Sequence, residues 1–339
     1  MVARSLTIDD VRGAANRLRS HVFHTPARRS DWLSDACRGD VFLKLEVVQP
    51  TGSYKIRGAF NAAALAKDRD PSARLVTASA GNHGRALAHA ARALSLPLTV
   101  FLPSSAPCAK VDPIRASGAA LEFCADFDEA ERAAKRYAAS ESALYISPYS
   151  HPDVIAGAGT IALELFEDLS SIDTIMVPVG GGGLISGIAI AARALSPHVR
   201  IIGIEVEVSC PFTRSLAAGR IVPIDVKPSI ADGLTGNLDP DTITFDIVRR
   251  LVGRIDVVDE AALSSALRDV VLNEHLIVEG AAAVGVAALL EGRVDVAGQR
   301  AVVILTGANI DRERLAAAIE DGHDLTQRPP RSRGRSRIK

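Results

Sequence analysis

A run of four glycines is the most unusual feature of this sequence and the first that could do chemistry. In residues 174–195, TIMVPVGGGGLISGIAIAARAL, Gly180 to Gly183 separate a strand-like apolar segment from a helix-like one. Nothing in packing requires four consecutive glycines, and each loses much conformational entropy when the chain folds. Backbone N–H groups wrapped around a phosphate at a helix N-terminus explain the run best, with a purely structural loop as the alternative.

The glycine run does not match the usual nucleotide-binding motifs. No Gly-Lys-Ser/Thr follows it, as a Walker loop would require, and no register of residues 180–187 supplies G-x-G-x-x-G. Glu205 does stand at the spacing of a ribose-binding acid, at the end of the next strand-like segment. A nucleotide-dependent dehydrogenase is therefore a weakened alternative that stays open.

A second loop of small residues lies in 75–93, LVTASAGNHGRALAHAARA, between another strand-like segment and another helix-like one. Its small residues let backbone N–H groups approach a ligand, and a helix N-terminus favours an anion. We expect a carboxylate or a phosphate there, with a plain helix cap by Ser79 or Asn82 as the alternative. His83 is a candidate general base, and equally a hydrogen-bonded structural histidine.

Lys55 is the candidate nucleophile. In residues 44–66, KLEVVQPTGSYKIRGAFNAAALA, the break at 50–52 ends a strand, and a helix is predicted to begin at Ser53 or Tyr54. Lys55 then falls in the first helical turn, where the helix dipole disfavours a cation. A lysine whose neutral amine is favoured can form a Schiff base, whereas the alternative is an ordinary surface lysine.

A fourth segment, AVVILTGANID, ends a strand-like run at Thr306. A hydroxyl at the carboxyl end of a strand could face a ligand ring, and it could equally cap the helix that follows. The sequence leaves both interpretations open.

These loops are placed by strands and helices that alternate along the chain. Apolar segments of strand length are found at 41–46, 96–103, 174–180, 199–206 and 301–307. Helical patterns are found at 84–95, 126–140, 183–195, 260–273 and 279–291. Continuous apolar strands alternating with helices are typical of an α/β fold whose parallel sheets are covered on both faces. Ligands bind at the carboxyl ends of such strands, which is where the four loops lie.

The motifs SYKIRGA, SAGNHG, PVGGGGL and TGAN, in this order, resemble those of the fold-type II pyridoxal-phosphate enzymes. The resemblance covers about residues 5–320 and is to the threonine/serine dehydratase and serine racemase branch. The cysteine synthase branch typically has Lys-Asp-Arg and Ser-Gly-Asn-Thr, whereas this chain has Lys55-Ile56-Arg57 and Asn82-His83. The implied fold is α/β and tryptophan synthase β-like, with two open, twisted, mostly parallel sheets flanked by helices.

The resemblance also implies a division of the chain. Residues 1–73 and 152–327 are expected to form a large cofactor-binding domain, and residues 74–151 a small substrate-side domain. Residues 328–339, RPPRSRGRSRIK, are expected to be a basic disordered tail, because they contain almost nothing to bury.

The resemblance implies pyridoxal 5′-phosphate as the cofactor, with Lys55 as its Schiff-base partner and as the base that takes the substrate Cα proton. The cofactor phosphate is expected at the glycine run and the next amide: Gly180, Gly181, Gly182, Gly183 and Leu184. Around the cofactor ring, the expected neighbours are Tyr54 beside it, Asn82 at the phenolic oxygen and Thr306 at the pyridine nitrogen. The substrate carboxylate is expected at the second loop: Ser79, Ala80, Gly81, Asn82 and His83.

Some residues depart from the family pattern, and two others are singled out only by their place in it. Thr306 stands where dehydratases usually have Ser or Cys. Relatives that bind a divalent cation use a glutamate at the Glu205 position and a downstream Asp, but Pro211 stands at the Asp position here, so no metal is expected. Glu279 and Gly233 fall in segments that lie near the cofactor in relatives.

The reaction that this resemblance implies is β-elimination from a β-hydroxy amino acid, with L-threonine or L-serine as the first guess, giving a 2-oxo acid and ammonia. The alternatives are an amino-acid racemase and a dehydratase of a substituted substrate such as hydroxyaspartate, phenylserine or an osmolyte-derived hydroxy amino acid. A cofactor-free binding protein that keeps the fold is a further alternative.

Charge and composition bound the partners. The net charge is −1, but 328–339 holds six positive charges and no negative one, so the rest carries −7 and shows no nucleic-acid footprint. No apolar run is long enough to span a bilayer, and the four cysteines form no CxxC pair, so a cytoplasmic protein is expected. The expected partners are an amino-acid substrate and a second copy of the chain in a homodimer.

Overall fold

Two separate β-sheets organise the part of the chain that the computed structural model describes, residues 5–320. The basic tail predicted for 328–339 lies outside the described residues. The strands are β1 (Ala27–Arg29), β2 (Asp40–Leu45), β3 (Leu75–Ala78), β4 (Leu98–Pro103), β5 (Ala120–Cys124), β6 (Leu144–Tyr145), β7 (Thr174–Pro178), β8 (Arg200–Val206), β9 (Arg254–Val258) and β10 (Arg300–Leu305).

Thirteen α-helices connect and cover these strands within residues 5–320. They are α1 (Ile8–Leu18), α2 (Asp31–Cys37), α3 (Lys55–Arg69), α4 (Asn82–Leu94), α5 (Cys108–Ala116), α6 (Phe127–Ser140), α7 (Pro152–Asp168), α8 (Gly183–Leu195), α9 (Pro211–Ala218), α10 (Thr244–Leu251), α11 (Glu260–Asp269), α12 (Gly280–Leu290) and α13 (Arg312–Glu320). Short 3₁₀ turns cover Glu46–Val48 and Asp232–Leu234, and a π-helix covers Val270–Glu274.

The larger sheet has six strands in the order β1-β2-β10-β7-β8-β9, and every pair is parallel except β1 with β2. Both of its faces are buried. Along β10, Val303 and Leu305 pack into one apolar core with α12, whereas Val302 and Ile304 pack into another with α8. This double cover is the reason that its central strands read as continuous apolar runs.

The smaller sheet has four parallel strands in the order β5-β4-β3-β6, all drawn from 75–145. Its apolar core is shared with α3 and α4, through residues such as Phe60 and Leu87. Two mostly parallel sheets flanked by helices are therefore present, as the sequence predicts.

Each predicted strand and helix is found, with bounds that differ by a few residues. The helix predicted from Ser53 or Tyr54 begins at Lys55, and the helix predicted over 260–273 changes to a π-helix after Asp269. The sequence did not predict the long irregular stretch 219–243, which contains only one 3₁₀ turn. Within residues 5–320, none of the helices is both long enough and apolar enough to cross a bilayer.

Candidate active site

The lysine loop and the Thr306 loop meet because the strands that precede them, β2 and β10, are parallel neighbours. The Tyr54 N–H donates a hydrogen bond to the Thr306 carbonyl at 3.0 Å, and the Ala308 N–H donates to the Gly52 carbonyl at 2.9 Å. Two segments that are about 250 residues apart in sequence thus form one edge of the site.

Lys55 is the first residue of α3 and is partly buried. Its Nζ donates to the Pro148 carbonyl at 2.9 Å and lies 5.2 Å from the centroid of the Tyr54 ring. Among the residues that the structure describes, no carboxylate forms an ion pair with this amine. A carbonyl and an aromatic ring hold the lysine in place without a fixed counter-charge.

A buried charge cluster anchors the helix that carries Lys55. The guanidinium of Arg57 is almost fully buried and donates to both oxygens of Glu46, at 2.7 and 2.8 Å, and to Glu164 at 2.6 Å. Lys44, also fully buried, donates to Glu164 at 2.6 Å. Because paired charges in a dry interior resist displacement, the first turn of α3 has a fixed position.

The glycine loop joins β7 to α8, as the sequence predicts, but its packing overturns one expectation. A β-carbon on Gly181 would overlap the ring of Tyr149, and one on Gly183 would lie 2.8 Å from the Tyr149 carbonyl oxygen. One on Gly182 would lie 2.5 Å from Phe212 Cζ. The expectation that packing does not require these glycines was therefore wrong, because side chains that are distant in sequence fill the space beside them.

The N–H groups of this loop nevertheless point to an anion. The first amides of an α-helix have no acceptor inside the helix. Among the described residues, none of the N–H groups from Gly181 to Leu184 donates a hydrogen bond to the protein. Gly182 has a φ of +82°, which only glycine adopts readily, and Thr244 fixes the loop by donating to the Gly181 carbonyl at 2.8 Å. Free amides at the positive end of α8 fit a phosphate.

Tyr149, which was not predicted from the sequence, links the glycine loop to Lys55. It follows Pro148, whose carbonyl accepts from Lys55, and its ring covers Gly181. Its hydroxyl accepts a hydrogen bond from the Asp239 N–H at 3.1 Å. Burial, and then the charge of Asp239, raise the pKa of this phenol above its usual value. The only sequence signal was the S-P-Y-S-H-P stretch, whose prolines mark a turn before a helix.

The second small-residue loop joins β3 to α4, with Ala80 and Gly81 partly exposed. Among the described residues, no atom lies within 4 Å of the place where a β-carbon on Gly81 would stand. His83 points the other way, into the core, where its Nε2 lies 3.2 Å from the Ile146 carbonyl. Burial first, and then the charge of Lys55, lower the pKa of His83 to about 3, so the ring is neutral. A structural histidine fits this position better than a general base.

Asn82 begins α4 and faces residues from the larger sheet. Its Nδ2 donates to the two oxygens of Glu279 at 2.7 and 3.0 Å, and its Oδ1 accepts from Asn309 at 2.6 Å. Burial raises the pKa of Glu279 to about 7, against the opposing effect of the Asn82 amide. Glu279 and Asn309 therefore join the candidate site through Asn82.

The remaining candidates are placed as follows. Thr306 is buried directly after β10. Gly233 lies in a 3₁₀ turn that packs beside Gly180, the first glycine of the run. Glu205 does not face a ligand: its carboxylate accepts from the Phe212 and Thr213 N–H groups, both at 2.8 Å, and caps α9. Burial raises the pKa of Glu205 to about 7.

Taken as chemistry, the site offers a lysine amine, a cradle of free amides and buried hydroxyls near them. Ser53 and Ser186 have buried hydroxyl oxygens that find no partner among the described residues. An aldehyde that carries a phosphate fits this donor set, because the amine can bond to the aldehyde while the amides hold the dianion. The residues therefore fit pyridoxal 5′-phosphate.

Comparison with known proteins gives the same answer. Residues 18–307 match the model of the family described as pyridoxal-phosphate dependent enzyme. The L-threonine ammonia-lyase of Thermotoga maritima is 37% identical, over 94% of this chain and 79% of that protein. The L-threo-3-hydroxyaspartate ammonia-lyase of a Pseudomonas species is 39% identical, over 92% of this chain and 98% of that protein. The structure of maize serine racemase superimposes with a TM-score of 0.87 at 34% identity, covering 93% of this chain and 97% of that one.

These matches confirm three predictions: the tryptophan synthase β-like α/β fold, pyridoxal 5′-phosphate as the cofactor, and ammonia-lyase activity. The roles of individual residues are not tested by them and stay predictions. The chain belongs to the family of pyridoxal-phosphate dependent enzymes.

Proposed function

We propose that this enzyme removes water from an L-β-hydroxy amino acid, with L-threonine or L-serine as substrate, and releases a 2-oxo acid and ammonia. One observation carries the assignment of the site to this reaction. Lys55 donates to the carbonyl next to Tyr149, and the Tyr149 ring packs on the glycine loop whose amides are free. A nucleophilic amine and an anion cradle are thereby held by one short segment, as a phosphorylated aldehyde requires.

The cofactor, when bound, supplies an electron sink that acidifies the Cα–H bond of the amino acid. The Lys55 amine takes the Cα proton, the bond from Cβ to the hydroxyl oxygen breaks, and the oxygen leaves as water by taking that proton from the Lys55 ammonium. The released product adds water and loses ammonia, which gives the 2-oxo acid.

The other predicted residues take binding roles in this proposal. The amides from Gly180 to Leu184 hold the cofactor phosphate, Tyr54 lies beside the ring, and Thr306 places a neutral hydroxyl at the pyridine nitrogen. Asn82 donates to the phenolic oxygen. The loop from Ser79 to His83 binds the substrate carboxylate through its N–H groups, and the open space at Gly81 supports this placement.

A dicarboxylate substrate is the second candidate, because one relative that is 39% identical acts on L-threo-3-hydroxyaspartate. A panel of L-serine, L-threonine, L-threo-3-hydroxyaspartate and phenylserine, assayed for 2-oxo acid release, decides between them. The expected result is a kcat/KM for threonine or serine at least about tenfold above the others, which corresponds to about 1.4 kcal/mol in transition-state binding. Release from hydroxyaspartate alone would assign the second candidate. No release from any member would contradict the proposal.

The domain division is also part of the proposal, with 1–73 and 152–327 as the cofactor-binding domain and 74–151 as the substrate-side domain. The origin of all four small-sheet strands in 75–145 supports it. Helix α3 joins the two, because it begins at the lysine loop and packs with α4 in the core of the smaller sheet.

We also propose that the enzyme is a cytoplasmic homodimer. Phe23, Leu272 and Ile277 are each more than half exposed, as apolar side chains at a subunit interface would be in an isolated chain. All four cysteines are free, which suits a reducing compartment. Light scattering should give about twice the mass of one chain, 35.7 kDa, and a monomer at micromolar concentration would contradict the dimer.

A further inference from the structure

A chain of four polar side chains connects the two sheets beside the candidate site. Asn82 and Arg85 lie on the first turn of α4, Asn309 follows β10, and Glu279 precedes α12. Arg85 Nη1 donates to Asn309 Oδ1 at 2.7 Å, and Asn309 Nδ2 donates to Asn82 Oδ1 at 2.6 Å. Asn82 Nδ2 donates in turn to the two Glu279 oxygens, at 2.7 and 3.0 Å.

The two ends of this chain set the direction of every hydrogen bond in it. A guanidinium has only donors, so Asn309 must turn its oxygen towards Arg85. The Thr51 carbonyl only accepts, and it takes a hydrogen bond from Asn309 Nδ2 at 2.9 Å. Asn309 Nδ2 therefore donates to Asn82, which must accept with its Oδ1. The Asn82 nitrogen then faces the carboxylate of Glu279. No other orientation of the two amides satisfies all of these partners.

We propose that Arg85, Asn309 and Glu279 are positioning residues that hold the Asn82 amide with its nitrogen, and not its oxygen, presented to the phenolic oxygen of the cofactor. This inference rests on the proposed role of Asn82. An amide nitrogen has two hydrogens, so Asn82 can donate to Glu279 and to the cofactor at once. A flipped amide would place its oxygen against the phenolic oxygen, and two acceptors would face each other.

Glu279 is the part of this chain that titrates near neutral pH. Burial raises its pKa to about 7, the Asn82 amide opposes this, and Asp232 adds to it, whereas Lys110 and Lys55 oppose it. The Arg85 guanidinium faces the same chain from α4. Below its pKa the carboxyl carries a proton and accepts a weaker hydrogen bond from the Asn82 nitrogen, so Asn309 alone holds the amide firmly. The proposal therefore predicts weaker binding of the cofactor at pH 6 than at pH 8, in line with protonation of Glu279.

The test uses apoenzyme titrated with pyridoxal 5′-phosphate, followed by absorbance, at a series of pH values from about 6 to 8. Glu279→Leu removes the acceptor and should weaken binding about tenfold, the effect of one charge-assisted hydrogen bond. Glu279→Gln keeps the shape and one acceptor, so it should weaken binding about threefold and show a smaller pH dependence than the wild type. Glu205→Gln is the matched control, because Glu205 is also buried with a pKa of about 7 but forms no hydrogen bond with the four side chains that link the sheets. It should keep the affinity and the pH dependence of the wild type.

Wild-type affinity in Glu279→Leu, or an equal loss in Glu205→Gln, would overturn the inference. If Glu279→Leu does not fold, as judged by thermal melting, Arg85→Met tests the other end and should weaken binding a few-fold. A wild-type protein that binds no cofactor would instead contradict the proposed function, so the two failures are distinguishable. Wild-type binding with no pH dependence between pH 6 and 8 would remove Glu279 from the positioning set.

Discussion

The two loops of small residues look alike in sequence, but they are built for different ends. Both join a parallel strand to a helix at the carboxyl edge of a sheet. In the glycine loop, β-carbons at Gly181 and Gly182 would collide with Tyr149 and Phe212. In the Ser79–His83 loop, a β-carbon at Gly81 would stand in open space among the described residues.

The difference shows that glycine is present for two different reasons in these loops. In the glycine loop the absent side chains are required by the protein itself, because aromatic rings occupy their space and Gly182 has a positive φ. At Gly81 the protein makes no such demand, so the small residue leaves room for a ligand. Substitutions in the glycine loop therefore test folding and binding together, whereas a substitution at Gly81 tests binding alone.

Lys55→Ala should have the largest effect, because both loops serve this amine. We expect 2-oxo acid release to fall by at least about 10³-fold, since the residue proposed to take the Cα proton is gone. The melting temperature of the apoenzyme should change little, because Lys55 is only partly buried. Assays of activity and visible absorbance check this, and a variant that still turns over with covalently bound cofactor would show that another lysine is the anchor.

Gly182→Ala should break the first loop. The new methyl group would collide with Phe212, and the loop would hold the alanine at a positive φ. The free energy of unfolding should therefore fall by about 3 kcal/mol. Gly81→Ala is the matched control and should change it by less than about 0.5 kcal/mol, while raising the KM for substrate. Urea denaturation of both apo variants measures the comparison, and equal losses would show that the two loops are packed alike.

Lowering the pH should reduce the free energy of unfolding through His83, in the Ser79–His83 loop, by less than Gly182→Ala does. The pKa of buried His83 is about 3, far below the usual 6.5. Between these two pH values the unfolded chain therefore binds a proton that the folded protein does not bind. The stability that His83 contributes is present above about pH 6.5 and is lost as the pH falls towards 3. Between pH 7 and 5 we expect a loss of about 2 kcal/mol from this residue. In His83→Gln, the free energy of unfolding, measured by urea denaturation at each pH, should change less with pH than in the wild type. An identical pH dependence would show that another group takes up the proton.

Ala80→Ser should have the smallest effect and sharpens the reaction assigned to the second loop. Racemisation needs a proton donor on each face of the substrate carbanion, and the methyl group of Ala80 cannot donate one. The wild type should therefore release 2-oxo acid with little D-amino acid, and the variant should gain slow racemisation. Chiral chromatography of the amino acid during turnover measures both, and wild-type racemisation as fast as elimination would contradict the lyase assignment.

The sequence could predict the elements whose signal is local. Strands buried on both faces, such as β7 and β10, read as unbroken apolar runs, and the breaks after them located the loops. Lys55 could be found because the break at 50–52 marks the end of a strand and a helical pattern begins directly after it.

Contacts between distant segments could not be predicted in this way. Tyr149 covers Gly181 from a different segment of the chain, and Asn82 meets Glu279 at a separation of 197 residues. The same limit made the glycines look free of packing demands. Spacing showed which residues belong to loops, but only the fold showed which loops face one another.

The pairing of β2 with β10 has a consequence for how the protein is made. Asp40 pairs with Arg300, so the larger sheet cannot close until β10 has left the ribosome. The smaller sheet is complete once residue 145 has emerged, and can form early because its contacts are closer in sequence. Because the Tyr54 N–H donates to the Thr306 carbonyl, the edge of the candidate site beside Lys55 is complete only once β10 is in place.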